Sequence, residues 1–172
     1  WLIFKFFNSI ERTCLNEASG VVCLTHAGRY EMQNWDVTSQ VKGAIRVIPC
    51  CVDTGAFRAE VDRDLRDIVR EELGAGPESL IVSYLGSLGG WYLHDEMVAF
   101  FGRFAKAFPE AILLVITHDD PGMILDAASR VGIPPHMLRV RSAFRSDLPR
   151  LLSAADLGLF FIRSTYSKIA SS

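Results

Sequence analysis

Leu80-Ile81-Val82-Ser83-Tyr84-Leu85-Gly86-Ser87-Leu88-Gly89-Gly90 is the stretch whose reading decides the fold. Its first six residues carry no charge. A run of this length reads as a strand covered on both faces, because such a strand has no reason to alternate polar and apolar positions. The glycine-rich turn that stops it leads into a helix expected from His94 to Phe108. The rhythm then repeats: strand over Ala111 to Thr117, helix over Pro121 to Val131, strand over Leu138 to Arg141, helix over Asp147 to Ala154, and strand over Leu157 to Ile162. Strands separated by single helices predict right-handed βαβ units, hence an α/β, Rossmann-like, doubly wound parallel sheet.

Working outward, the amino-terminal third follows the same alternation. Residues 5–18 read as a helix with Ile10, Cys14, Leu15 and Ala18 on one side, and Gly20 to Thr25 as a short buried strand. A helix near 27–35 and a strand over Ile45 to Ile48, stopped by Pro49, come next. Residues 60–73 form a charged amphipathic helix, with Val61, Leu65, Ile68, Val69 and Leu73 at helical spacing and Gly74, Gly76 and Pro77 ending it. Asp120 before Pro121, and Ser146-Asp147, are suited to start the later helices. Met97, Phe100, Phe101, Phe104, Ala105 and Phe108 make an aromatic stripe, read as packing onto the sheet rather than as a ligand groove.

The 172 residues carry a net charge of only −2, with acids and bases interspersed, so no basic stripe points to nucleic acid. Cys14, Cys23, Cys50 and Cys51 form no CxxC pair and no zinc-type spacing, and are expected to be buried thiols in a reducing compartment. The apolar run Trp1 to Phe7 is far too short to span a bilayer. Both ends read as the interior of something longer.

In open parallel sheets ligands sit beyond the carboxyl ends of the strands. Residues 86–93, 117–120, 141–146 and 163–172 are therefore the loops of interest. Gly86, Gly89 and Gly90 either let backbone N–H groups approach a phosphate or serve only the dihedrals of a tight turn; the residues leave both readings open. They do not make GxGxxG, and an acidic residue at the end of the second strand is missing, which disfavours NAD. There is no GxxxxGK[ST] and no GxSxG. His26, His94, His118 and His136 stand apart in sequence; the acids of His94-Asp95-Glu96 and His118-Asp119-Asp120 are read as helix-start and capping residues.

Four segments carry a resemblance to a known family. Glu17 to Gly28 resembles a late segment of the acceptor domain in family 4 glycosyltransferases. Arg46 to Phe57 is similar to that family's V-I-P-N-G-V-D…F junction signature, Tyr84 to Met97 to its donor-side glycine loop, and Ala154 to Leu159 to the A-D entry of its fourth donor-side strand. The resemblance implies a partial GT-B architecture. Residues 1–53 would be the carboxyl-terminal part of the acceptor-side domain, 54–79 a linker and helix, and 80–172 the first part of the donor-binding domain.

The implied activity is retaining transfer of a sugar from a nucleotide-diphosphate donor to a carbohydrate, lipid or small-molecule acceptor. It implies no obligatory metal, no cofactor beyond the sugar nucleotide as substrate, and a cytoplasmic place, peripheral to a membrane. The donor-binding set it implies is Gly86, Ser87, Gly89 and Gly90 near the pyrophosphate, Arg141, Ser142 and Arg145 facing the base, and Ser167 and Lys168 toward the donor sugar.

Departures are specific. Cys50-Cys51 stands for the usual Asn-Gly, Trp91, Tyr92 and His94 stand where Arg and Lys are usual, and the paired-glutamate motif is not visible near Ala170. A sugar-nucleotide epimerase of the same architecture and a non-catalytic α/β binding module are the alternative readings. The chain by itself is expected to be inactive for want of the rest of its site, and to self-associate through exposed edges.

Overall fold

The computed structural model describes residues 1–35, 43–57, 62–165 and 168. These fall into two compact units, residues 1–52 with 164–172, and residues 53–163.

The first unit holds α1 (Leu2–Glu17), β1 (Val21–Cys23), α2 (His26–Gln33) and β2 (Ile45–Val47). β1 and β2 pair in parallel, with Val21 opposite Ile45 and Cys23 opposite Val47. Thr25 caps α2 by accepting the Gly28 amide at 2.9 Å. α1 begins earlier than expected, at Leu2. Of the expected apolar side only Leu15 is buried on it, and Ile10 and Cys14 are exposed. Cys23 alone among the four cysteines is buried; Cys14, Cys50 and Cys51 are exposed free thiols. The expectation of buried thiols thus fails at three of four positions, because the segments carrying them, α1 and the stretch after Pro49, present them to solvent within this unit.

The second unit contains α3 (Arg63–Glu72), β3 (Ile81–Leu85), α4 (His94–Ala107), β4 (Ile112–Ile116), α5 (Gly122–Arg130), a 3-10 turn (Pro135–Met137), β5 (Leu138–Arg141), α6 (Leu148–Ser153) and β6 (Leu157–Gly158). Its four strands make one parallel sheet in the order β5-β4-β3-β6. Ile81 lies opposite Ile112, Leu113 opposite Leu138, and Val82 opposite Leu157.

Alternation along the two central strands explains why helices cover both faces. Val82, Tyr84, Leu113 and Val115 point to one side and pack with Met97, Val98 and Phe101 of α4 and Ile124, Ala127 and Ala128 of α5. Ile81, Ile112, Leu114 and Ile116 point to the other and pack with Val69 of α3, Leu73 just after it, and Leu148, Leu151 and Leu152 of α6. Both strand faces are apolar, so the run has no polar side to offer solvent. That is the physical content of the doubly wound α/β expectation, and the fold has it.

Three local readings differ from the structure. The aromatic stripe of α4 divides: Phe101 is fully buried, but Phe100 and Phe108 are 43% and 44% exposed and stack with Phe104 in a ladder along the helix. The helix turns by 100° per residue, so Phe101 faces the sheet squarely while the 100/104/108 row runs along its flank. On α3, Ile68 is half exposed beside buried Val69, and Val61 lies outside the described residues. Of the expected strand over Leu157 to Ile162, Leu157 and Gly158 join the parallel sheet, while Ile162 makes an isolated antiparallel bridge with Tyr92. Among the described residues β6 has β3 on one side and no strand on the other, and the Leu159 amide makes the last bond of that ladder, to the Ser83 carbonyl at 2.8 Å. Among the described residues no helix is long and apolar enough to cross a membrane.

Candidate functional site

The carboxyl ends of β3 and β4 open into a cleft of about 300 Å³ lined by Leu85, Gly86, Ser87, Ile116, Thr117, His118, Ala143, Arg145 and Leu148. Three of the loops singled out by the strand-end rule meet here, those after β3, β4 and β5. No carboxylate is among these nine residues. Arg145 brings positive charge, His118 and Ser87 bring polar groups, and Leu85, Ile116, Ala143 and Leu148 form apolar walls.

The glycine loop is fastened at three successive residues. The Gly86 N–H donates to the Ile116 carbonyl at 3.1 Å, extending the β3–β4 ladder by one rung. The Tyr84 hydroxyl donates to the Ser87 carbonyl at 2.6 Å. The Leu88 N–H donates to the Asp119 carboxylate at 2.5 Å. Tyr84 is buried, and burial, together with the nearby Tyr92 and Asp119, raises its phenol to about 12, so it stays a donor at neutral pH.

Glycine is needed at 86 because a Cβ there would lie 3.0 Å from the Tyr84 hydroxyl oxygen and 3.3 Å from its ring. Gly89 and Gly90 have φ of 77° and 61°, the left-handed region. Around Gly90 a Cβ would meet nothing within 4 Å, and around Gly89 only the Met123 methyl, at 3.4 Å.

Across the cleft, the Ser142 hydroxyl and His118 Nδ1 are 2.8 Å apart, tying the loop after β5 to the loop after β4. Of the residues expected to hold a donor, Gly86, Ser87 and Arg145 come together in the cleft, and Ser142 adjoins it through His118. Gly89 and Gly90 belong to the same loop without lining the cleft, and Arg141 turns its guanidinium back to the Val140 carbonyl at 3.1 Å. Lys168 belongs to the other compact unit, and Ser167 lies outside the described residues.

Sequence reasoning singled out the 117–120 loop but left Thr117, His118 and Asp119 out of the expected donor-binding set. The first two line the cleft, and Asp119, expected as a cap, instead bonds to a loop 31 residues away. Their common signal was position, directly after a buried strand. Asp120 does act locally at the start of α5, accepting the Gly122 amide at 2.9 Å. Asp95, at the start of α4, pairs with Arg130 of α5 at 2.5 Å. No group of three or more His, Cys, Asp or Glu placed to hold a metal ion occurs among the described residues.

A parallel α/β unit with helices on both faces and a carboxylate-free cleft at its strand ends belongs to the class of Rossmann-like folds. Within that class, two solved structures that it resembles are glycosyltransferases. WaaG, a glycosyltransferase involved in lipopolysaccharide biosynthesis, superposes with a TM-score of 0.68 at 20% identity, over 82% of this chain and 37% of WaaG. A glycosyltransferase from Rickettsia africae ESF-5 superposes with a TM-score of 0.64 at 13% identity, over 86% of this chain and 40% of the other. The chain therefore has the Rossmann-like α/β fold of part of a GT-B glycosyltransferase, and spans less than half the length of either. No protein-family model and no curated protein matches it.

Proposed function

We propose that this chain supplies the nucleotide-binding part of a glycosyltransferase that moves a sugar from a nucleotide-diphosphate donor, with retention, to a carbohydrate, lipid or small-molecule acceptor. The observation that carries the reading is the cleft's lining: glycine-loop backbone, a hydroxyl, an imidazole and a guanidinium at the carboxyl ends of two central strands, without a carboxylate. A diphosphate finds donors and positive charge there, and the apolar walls suit the face of a base or ribose. Gly86, Ser87 and Arg145 are the proposed direct contacts, Ser142 acts through His118, and Gly89 and Gly90 act through the shape of the turn. Arg141, Ser167 and Lys168 enter the proposal from the family resemblance alone. A cytoplasmic location, peripheral to a membrane, goes with the same reading.

The test is isothermal titration of the 172-residue chain with UDP and GDP. Binding is expected to be weak, with Kd on the order of 0.1–1 mM, and to be competed by the matching sugar nucleotide. Titrations without heat for either nucleotide, together with an unchanged melting temperature, would sink the reading.

A further inference from the structure

The glycine loop does not hold its shape by glycine alone. Asp119 stands immediately after the cleft-lining Thr117-His118 pair, yet it does not line the cleft. Its own N–H donates to the Thr117 hydroxyl at 3.1 Å, and Thr117 is buried, which fixes the direction of the turn after β4. From that turn the Asp119 carboxylate faces the underside of the glycine loop and accepts the Leu88 amide. Leu88 in turn packs its side chain against the α4/α5 core. The loop segment Gly86–Leu88 is thereby held at both ends, by the sheet ladder at Gly86 and by Asp119 at Leu88.

Two consequences follow. A carboxylate within the cleft would repel a diphosphate, and this one is engaged by a backbone donor outside it. A loop held at a single point would also have to lose conformational freedom when a ligand arrives, whereas a loop held at both ends has lost it already.

We propose that Asp119 is a positioning residue for nucleotide binding: by accepting the Leu88 amide it holds Gly86 and Ser87 in the orientation that lines the cleft. The proposal rests on the nucleotide reading of that cleft for its ligand, and on the Leu88–Asp119 geometry for its mechanism. The carboxylate's nearness to the loop is also felt by Tyr84, whose phenol it helps to raise while that phenol holds the Ser87 carbonyl.

The experiment compares the wild-type chain with Asp119→Ala and Asp119→Asn by amide hydrogen exchange and by UDP titration. Asparagine keeps a side-chain oxygen able to accept the Leu88 amide; alanine does not. In the alanine variant, exchange at Leu88 should accelerate and UDP affinity fall, each by about tenfold, while exchange within β3 and β4 is unchanged; asparagine should restore most of both. A Leu88 amide that exchanges freely in the wild-type chain overturns the proposal without recourse to any variant, so an alanine variant that fails to fold does not remove the test. Faster Leu88 exchange with unaltered UDP affinity overturns it too, by showing that the contact is structural only. Equal losses in both variants would assign the effect to charge and overturn the acceptor role. Absence of UDP and GDP binding throughout is a different result: it removes the nucleotide reading, and Leu88 exchange alone then decides whether Asp119 holds the loop.

Discussion

Arg70 reaches Asp156 across 86 residues of sequence, with its Nη1 3.1 Å from the carboxylate Oδ2. The same carboxylate accepts the Ile81 amide at 2.8 Å at the start of β3 and pairs with Arg66 at 2.5 Å, one helical turn before Arg70 on α3. Arg66 and Arg70 also donate to the carbonyls of Ser153, Ala154 and Ala155 at the end of α6. The acid of the A-D segment thus joins a helix, the start of a central strand and the entry to β6. Its residues build the scaffold beneath the cleft.

Burial by itself would raise the Asp156 carboxyl; the Ile81 amide, the hydrogen bonds from Arg70 and Arg66 and the Arg70 charge outweigh it and hold the group below the usual carboxylate range. A depressed folded value means stabilisation that is fully present above the unfolded-chain value of about 3.9 and is lost as pH falls through the folded one. The wild-type melting temperature should therefore drop on acidification below about pH 4. Asp156→Asn should lower stability by about 2 kcal/mol at neutral pH, since it leaves the 9%-exposed Arg70 with carbonyl partners but no counter-charge, and should flatten that acid limb. Thermal unfolding across pH for both proteins checks it; parallel curves would remove Asp156 as the cause.

Gly86 and Gly90 should differ when each is changed to alanine. At Gly86 the new Cβ crowds Tyr84, which is buried and bonded to the Ser87 carbonyl, so the loss should be about 1–3 kcal/mol with the cleft disturbed. At Gly90 the Cβ points into open space and only the left-handed backbone opposes it, a cost of about 1 kcal/mol. Chemical denaturation of both variants gives the comparison, and equal losses would contradict the role assigned to Tyr84.

Within the α4 stripe, Phe101→Ala should cost about 3–5 kcal/mol, since its ring fills the core between helix and sheet. Phe108→Ala should cost about 1 kcal/mol, because it loses mainly a stacked contact with Phe104, at 4.6 Å between ring centres, from a site open to solvent. Urea midpoints for the two variants test this division of the stripe.

Arg145→Ala should weaken UDP binding by about tenfold with little change in melting temperature, because the side chain lines the cleft while the residue itself is exposed. Wild-type affinity should fall with added salt as the charge contribution is screened, and that of the variant should fall less. Titration at two ionic strengths checks both; equal salt sensitivity would separate Arg145 from the ligand's charge.

The sequence by itself determined the parallel α/β architecture and singled out three loops that meet in the cleft. Ile81 to Leu85 and Ile112 to Ile116 are apolar enough to be covered on both faces, and a glycine-rich turn follows the first of them. These are local properties: a strand's side chains alternate faces, a helix repeats every few residues, and glycine alone adopts φ of 77° and 61° at little cost. Only the tertiary structure decided which acid serves which role. Asp119 and Asp120 are neighbours with the same side chain, yet one fastens the glycine loop through Leu88 and the other bonds Gly122 within its own turn. Likewise α3 reads as an ordinary charged helix, and nothing local marks Arg66 and Arg70 as the partners of an acid 90 and 86 residues away. Such pairs arise because the sheet brings the ends of distant strands within hydrogen-bond reach, where a buried charge or amide must find a partner, and that requirement leaves no periodic trace in the chain.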